Sequence, residues 1–341
     1  MSSGVSKPRM GSRARQTTRA KQPAPDHARR FAEAESCRSP APAHPACHRF
    51  SLPGTVGRAF MATIDLDQLT HIIAAAAADE VMPRFRKLAS DEVLTKRNAE
   101  GNEEIVTVAD RAMEARLTRD LTALVPGSIV IGEEGVSSDP TRLQTLTSAA
   151  PLWIVDPIDG TSNFSRGVER FGTMVCLVES NQATAAVIYI PCADQMWSAQ
   201  RGEGVRFNGH PFAPDRDRDT PRGDDASRPA TGVLHLPPQD ANLRERAQAM
   251  DPRIVAPVPS HWCAATEYVS LLTGELDFLV YSRIMPWDHA SGVFLLREMG
   301  GNARFFDDRD YTHEIHRGLL VAAREEARLA LLRALLGQSH D

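Results

Sequence analysis

One segment restricts this chain more than any other: Trp153-Ile154-Val155-Asp156-Pro157-Ile158-Asp159-Gly160-Thr161. Leu152–Val155 reads as a short β-rich run that ends in acidic residues. An apolar strand that turns acidic at its end delivers carboxylates to the rim of a sheet, where open α/β folds bind ligands. Pro157 withholds a backbone donor and encourages a tight turn. Asp156, Asp159 and the carbonyl of Ile158 can then converge on one side. Gly160 lets the backbone approach an anion closely, and successive amides opening a helix at Gly160-Thr161 form an anion pocket.

Two further segments place carboxylates in the same kind of position: Ile129-Val130-Ile131-Gly132-Glu133-Glu134 and Pro286-Trp287-Asp288-His289-Ala290-Ser291-Gly292. Each has a bland reading by itself. Glu133-Glu134 can be a solvated loop, Asp-Pro-Ile-Asp-Gly-Thr a turn, and Asp288 a helix N-cap. Separate bland readings do not explain three such elements in one chain. Convergent carboxylates cannot all stay ionised without a cation. An all-oxygen set selects hard cations, Mg²⁺ first and Mn²⁺ second. Carboxylates holding a metal beside a phosphate cradle point to displacement at phosphorus by water.

The surrounding pattern is α/β. Leu66, Leu69, Ile72, Ile73, Ala76 and Ala77 predict a helix from about Asp65 to Leu88. Thr107 and Asp110 open a second helix, which stops before Pro126-Gly127. Strands are expected at Ser128–Ile131, Leu152–Val155, Thr173–Val178, Ala185–Ile190, Met196–Ala199, Val233–Leu236, Phe278–Tyr281 and Leu319–Ala322. Helices are expected near Cys263–Thr273, Asp288–Met299 and the C-terminus. Residues 1–60 differ, with 11 Lys/Arg against 3 Asp/Glu and no sustained apolar periodicity. They read as a disordered basic tail or an upstream extension ahead of Met61. The remainder carries a net charge of -13, which suits a protein that concentrates divalent cations. The expected organisation is an N-terminal half, 61–212, carrying most metal ligands, a loop at 213–230, and a C-terminal half, 231–341, contributing Asp288 and substrate contacts. No stretch approaches the roughly 20 apolar residues of a membrane helix. Five cysteines form no CxxC pair, and cytoplasm is the natural compartment.

Taken together, Gly132-Glu133-Glu134, Asp156 to Phe164 and Trp287-Asp288-His289-Ala290-Ser291-Gly292 resemble the inositol monophosphatase family. Val106-Thr107-Val108-Ala109-Asp110, Gly202 to Gly209 and Glu298-Met299-Gly300-Gly301 match as well, and the likeness covers about residues 65–335. The resemblance implies an αβαβα sandwich of α/β class and a Mg²⁺-dependent, commonly lithium-sensitive phosphatase that forms a homodimer. It implies that Glu133, Asp156 and the Ile158 carbonyl hold one metal, and that Asp156, Asp159 and Asp288 hold a second. Glu133 would also help hold a third. Asp110 and Thr161 would orient and deprotonate the attacking water, while the Gly160 and Thr161 amides hold the phosphate.

Tyr281 stands where inositol-specific members of that family carry an acidic residue, which puts myo-inositol in doubt. Arg283 is a candidate for a second anionic group on the substrate, or else a surface salt bridge. Lys96 or Arg97 could supply a cation near Glu104. His289 reads as a packed residue beside Asp288, and Trp153 and Trp287 as core. The substrate class is a small phosphorylated metabolite: an inositol phosphate, a sugar phosphate such as fructose 1,6-bisphosphate, histidinol phosphate, or a nucleoside 3′,5′-bisphosphate. A catalytically silent regulatory protein on the same fold is the competing reading, and nucleic acid is not the expected partner.

Overall fold

In strand β4, Leu152–Asp159, every residue is buried, and its alternation defines the layering. Leu152 and Ile154 join one apolar cluster while Trp153 and Val155 join another, so both faces of this strand are covered. The computed structural model describes residues 64–97, 103–213 and 228–337. The basic tail and most of the 213–230 loop lie outside the described residues.

β4 sits in a seven-stranded sheet with β3 (Ile129–Gly132), β5 (Gly172–Glu179), β6 (Gln182–Ile190), β7 (Gln195–Gln200), β8 (Val205–Phe207) and β9 (His210–Pro211), in the order β3-β4-β5-β6-β7-β8-β9. Only β3 and β4 run parallel. One face is covered by α1 (Leu66–Ala76) and α2 (Val108–Leu124), which bury Leu69, Ile73, Met113 and Leu117 against Trp153, Val175 and Val187. The other face meets α6 (Ala264–Leu272) and α7 (Pro286–Glu298). Beyond those helices lies a second sheet, ordered β11-β10-β12-β14-β13. Its strands are β10 (Ala230–His235), β11 (Val255–Pro257), β12 (Phe278–Tyr281), β13 (Asn302–Phe305) and β14 (Leu320–Ala323). Leu279, Tyr281, Leu320 and Ala322 face the inter-sheet helices, whereas Phe278, Val280, Val321 and Ala323 face α5 (Ala241–Gln248) and α8 (Glu326–Gly337). The layers therefore read α-β-α-β-α, as the resemblance implies.

Several elements differ from the sequence expectation, which did not include β8, β9, β11, β13 or α5. The first helix is α-helical only to Ala76 and widens into a π-turn at Ala77–Val81, short of the predicted Leu88. A hairpin of β1 (Val93–Arg97) and β2 (Glu103–Thr107) precedes α2, where no strands were expected, because its residues are mostly polar and half-exposed. β4 continues four residues beyond Val155, and between Asp156 and Asp159 its pairing with β5 shifts by one residue. That bulge reverses the alternation: Ile158 joins the cluster facing α1 and α2, leaving Asp156 and Asp159 both on the inter-sheet side.

α7 is buried almost all round, and its close approach to α6 depends on Gly292. A Cβ there would land on the ring of Tyr268. Gly292→Ala should therefore force the two inter-sheet helices apart and lower stability by about 1–3 kcal/mol. Urea unfolding checks this, and an unchanged midpoint would show that the helix pair has slack.

Candidate active site

Each carboxylate is placed by a different element. Glu133 begins α3 (Glu133–Ser138) directly after β3, and Asp156 occupies the bulged end of β4. Asp288 lies in the first turn of α7, which Pro286 opens. Glu133, Asp156 and Asp288 bring carboxylate oxygens within 4.8 Å of one another. Asp156 is buried, and among the described residues its Oδ1 has no hydrogen-bond partner. A buried, unpartnered carboxylate oxygen is costly. Three convergent oxygen donors, one of them unsatisfied, fit a hard divalent cation.

Burial, reinforced by neighbouring carboxylates, raises the affinity of Asp156, Asp159 and Asp288 for protons. Burial and then Glu133, Asp159 and Asp288 hold Asp156 well above the ordinary carboxylate range. Burial does the same for Asp288, although Arg283 opposes it. Asp159 is pushed up to about 6 by burial, against donation from Cys263 and Ala265. Its Oδ2 accepts from the Ala265 amide at 2.6 Å and the Cys263 thiol at 3.0 Å. Asp159 is thus tied to the start of α6 and stands apart from the three-carboxylate group, while remaining close enough to raise Asp156 and Asp288.

A second unit joins α2 to α4 (Thr161–Ser165). The Thr161 hydroxyl lies 2.9 Å from both Asp110 Oδ1 and the Ile158 carbonyl. Asp110 Oδ2 accepts from the Thr107 amide at 2.8 Å and the Thr107 hydroxyl at 2.6 Å, within the capping box predicted at the start of α2. Burial raises Asp110 to about 6. Gly160 turns the chain from β4 into α4 with φ +83°, a left-handed conformation that favours glycine. Its amide and that of Thr161 open the turn beside the carboxylates, where helix-start amides lack intrahelical partners.

Other predicted residues have different surroundings. Lys96, rather than Arg97, reaches the acidic group: its Nζ lies 2.8 Å from Glu133 Oε1 and 2.5 Å from Glu134 Oε1. Burial disfavours its charge, yet Glu133 and Glu134 hold it above the ordinary lysine value. Arg283 pairs with Glu104 at 2.6 Å, the salt-bridge alternative. Tyr281 is buried and donates its hydroxyl to Glu267 at 2.7 Å, so that proton is committed within the protein. His289 is packed, with Nε2 2.9 Å from the Arg283 carbonyl and Nδ1 3.2 Å from the Tyr268 hydroxyl. Burial lowers it to about 4. Trp153 and Trp287 are core residues.

Two acidic residues escaped the sequence reading. Glu114, one turn after Asp110 on α2, accepts from the amides of Glu134 and Gly135 at 2.8 and 2.7 Å and so holds the turn carrying Glu133. Its signal was a carboxylate on the buried stripe of an amphipathic helix, between Met113 and Leu117. Glu267 is fully buried on α6, again on an otherwise apolar face.

Comparison with known proteins identifies the family and the fold. The sequence profile of the inositol monophosphatase family matches residues 65–339. An inositol-1-monophosphatase of Bacillus subtilis (strain 168) is 27% identical over 223 residues, covering 65% of this chain and 80% of its own. A protein of Escherichia coli (strain K12) named Nus factor SuhB is 27% identical over 201 residues, covering 59% and 72% respectively. The solved structure of a Thermotoga maritima IMPase superposes with a TM-score of 0.64 at 21% identity, covering 80% of this chain and 96% of that one. At that identity the likeness speaks to the fold.

Proton binding gives the site a measurable signature. Asp110 and Asp159 titrate near 6 in the folded protein against an ordinary 3.8. The folded chain therefore holds more protons than the unfolded one across that interval, and these groups lower stability progressively as pH rises through it. A divalent cation should remove this cost. The increase in Tm on adding Mg²⁺ to chelator-treated protein should grow from about pH 5 to about pH 7, as the protons leave. A pH-independent increase, or none, would contradict the assignment.

Proposed function

The chain belongs to the inositol monophosphatase family, and from that premise we propose that it hydrolyses a small phosphomonoester with a metal-activated water. The observation that carries the reading is the buried, unpartnered Asp156 oxygen within reach of Glu133 and Asp288, beside the Asp110–Thr161 pair. Glu133, Asp156 and Asp288 would hold divalent ions, with Asp159 and the Ile158 carbonyl completing the set. Mg²⁺ is the first choice, at two to three per site, and Mn²⁺ the second. Ions bound there supply positive charge that favours ionisation of water and stabilises the departing alkoxide.

The chain's own groups do the remaining work. Thr161 orients the water through its hydroxyl, and Asp110 takes the proton. Its value near 6 keeps it mostly ionised at neutral pH while matching its basicity to that task. Thr107 fixes Asp110 through its amide and hydroxyl, so the carboxylate does not swing away when it accepts the proton. The Gly160 and Thr161 amides hold the phosphate oxygens and stabilise charge as it develops. Glu114 orients the turn bearing Glu133. Lys96 balances Glu133 and Glu134 from the β1–β2 hairpin.

A catalytically silent member would be expected to lack part of this set. Here Asp110, Glu133, Asp156, Asp159, Thr161 and Asp288 are all in place, which favours the enzyme over the regulatory reading. Lithium inhibition, a homodimer and a cytoplasmic setting belong to the same proposal. No helix among the described residues is long and apolar enough to cross a membrane.

Phosphate release from a panel of small phosphorylated metabolites, with and without Mg²⁺ and Li⁺, tests the reading. Release should require the divalent ion and fall in Li⁺. Asp156→Asn should lower turnover on the order of a hundredfold or more, since a neutral ligand forfeits attraction to the metal, without loss of Tm in metal-free protein. Metal-independent release, or near-normal turnover in that variant, would sink the proposal. Thr161→Ala should lower kcat by roughly a hundredfold with KM little changed; a change confined to KM would reassign Thr161 to binding.

A further inference from the structure

Trp262 is the anomaly of this molecule. It is 72% exposed, whereas Trp153, Trp197 and Trp287 are all buried. Its backbone lies at φ +56°, a left-handed conformation that is an outlier for so bulky a residue and costs free energy wherever it is held. The surroundings hold it firmly. The Ser260 hydroxyl accepts the Trp262 amide at 2.8 Å and itself donates to Glu267 at 2.8 Å. The His261 amide donates to the same carboxylate at 2.9 Å. On the other side, the buried Asn163 side chain donates to the His261 carbonyl at 2.8 Å. An indole that served folding would be buried; this one is held out in solvent by a strained, well-tethered loop.

That loop borders the reaction site. Cys263, the next residue, donates to Asp159 at 3.0 Å, and a Cβ on Gly160 would sit 3.1 Å from the Cys263 Cβ. Next to the indole stands His235, with ring centroids 6.4 Å apart and planes at 79°. His235 in turn stacks on Tyr281 at 4.8 Å and 10°. His235 and Tyr281 are register partners at the C-terminal ends of the parallel strands β10 and β12, the end of such sheets where ligands bind. Glu267 is the nearby acidic group, and it is saturated by four donors: His235, Tyr281, Ser260 and the His261 amide. Among the described residues, this wall therefore offers aromatic faces and, in Glu267, a carboxylate already committed to internal donors.

We infer that Trp262, with His235 at its edge, forms a stacking subsite for a planar heteroaromatic base in the alcohol part of the substrate. The substrate class is then a nucleoside phosphate rather than a polyol phosphate. The inference rests on the phosphatase reading for the attached phosphate, but ring binding can be measured without turnover. Stacking suits this place because each base presents a π-face to an exposed indole, and the tethered loop has little ordering left to lose on binding.

The test uses the full chain in Mg²⁺. Adenosine carries no phosphate and cannot be hydrolysed; it should quench indole fluorescence saturably, myo-inositol should not, and Trp262→Phe should abolish the signal. Adenosine 2′-monophosphate and glycerol 2-phosphate both bear phosphate on a secondary alcohol and differ in the base. Trp262→Ala should raise KM for the nucleotide by roughly tenfold more than for glycerol 2-phosphate, and Trp262→Phe should recover most of that difference. Trp262→Gly, which relieves the left-handed backbone, should match or exceed the parent Tm. Absence of saturable quenching, equal KM changes for both esters, or a falling Tm in Trp262→Gly would each overturn the subsite. Saturable quenching without phosphate release from any ester would instead overturn the phosphatase reading and leave the ring subsite standing.

Discussion

Mutual repulsion among convergent carboxylates is the constraint around which this protein is arranged. Asp156 is buried with one oxygen unpartnered, and Glu133 and Asp288 come within 4.8 Å of it and of each other. Left alone, such a group takes up protons or pushes apart. The architecture prevents the second outcome. A bulge fixes Asp156, a covered helix fixes Asp288, and two amides bonded to Glu114 fix the turn bearing Glu133. Rigid positioning of like charges stores a demand for a cation, and the fold is the device that keeps the demand from relaxing.

The same logic explains the layering. α7 lies between two sheets, buried nearly all round, so its first turn cannot drift relative to the end of β4. A carboxylate on an exposed loop would be freer to rotate away from its neighbours. The Asp110–Thr161 pair is anchored similarly, since Asp110 is both the capping partner of α2 and the acceptor for Thr161. Capping and the Thr161 contact thus use the two oxygens of one carboxylate.

Tyr281 shows how a buried hydroxyl is committed inside the protein. Its hydroxyl joins His235 and Ser260 on the buried Glu267. Negative charge is still present, but it is neutralised inside the protein instead of being offered to a ligand. Of the neighbouring aromatic rings, Trp262 is the most exposed.

Most regular elements were legible in the sequence because they are long apolar runs or amphipathic stripes bounded by strong punctuation. β4, β5, β6, α2 and α7 lie close to where periodicity and capping put them. The convergence of Glu133, Asp156 and Asp288 was legible only from the three segments together, because each carboxylate alone reads equally well as a loop, turn or cap residue. The β1–β2 hairpin was not, since a polar, half-exposed ribbon lacks a periodic signal. Nor were the roles of Glu114 and Glu267, which have partners 20 and 32 residues away, while Lys96 was legible only as an alternative to Arg97. Local chemistry is written locally, so the sequence determined which residues bear charge and where chains must turn. Only tertiary packing decided which charges meet, which are quenched by internal donors and which indole stays in water, because those outcomes depend on distances that no local pattern encodes.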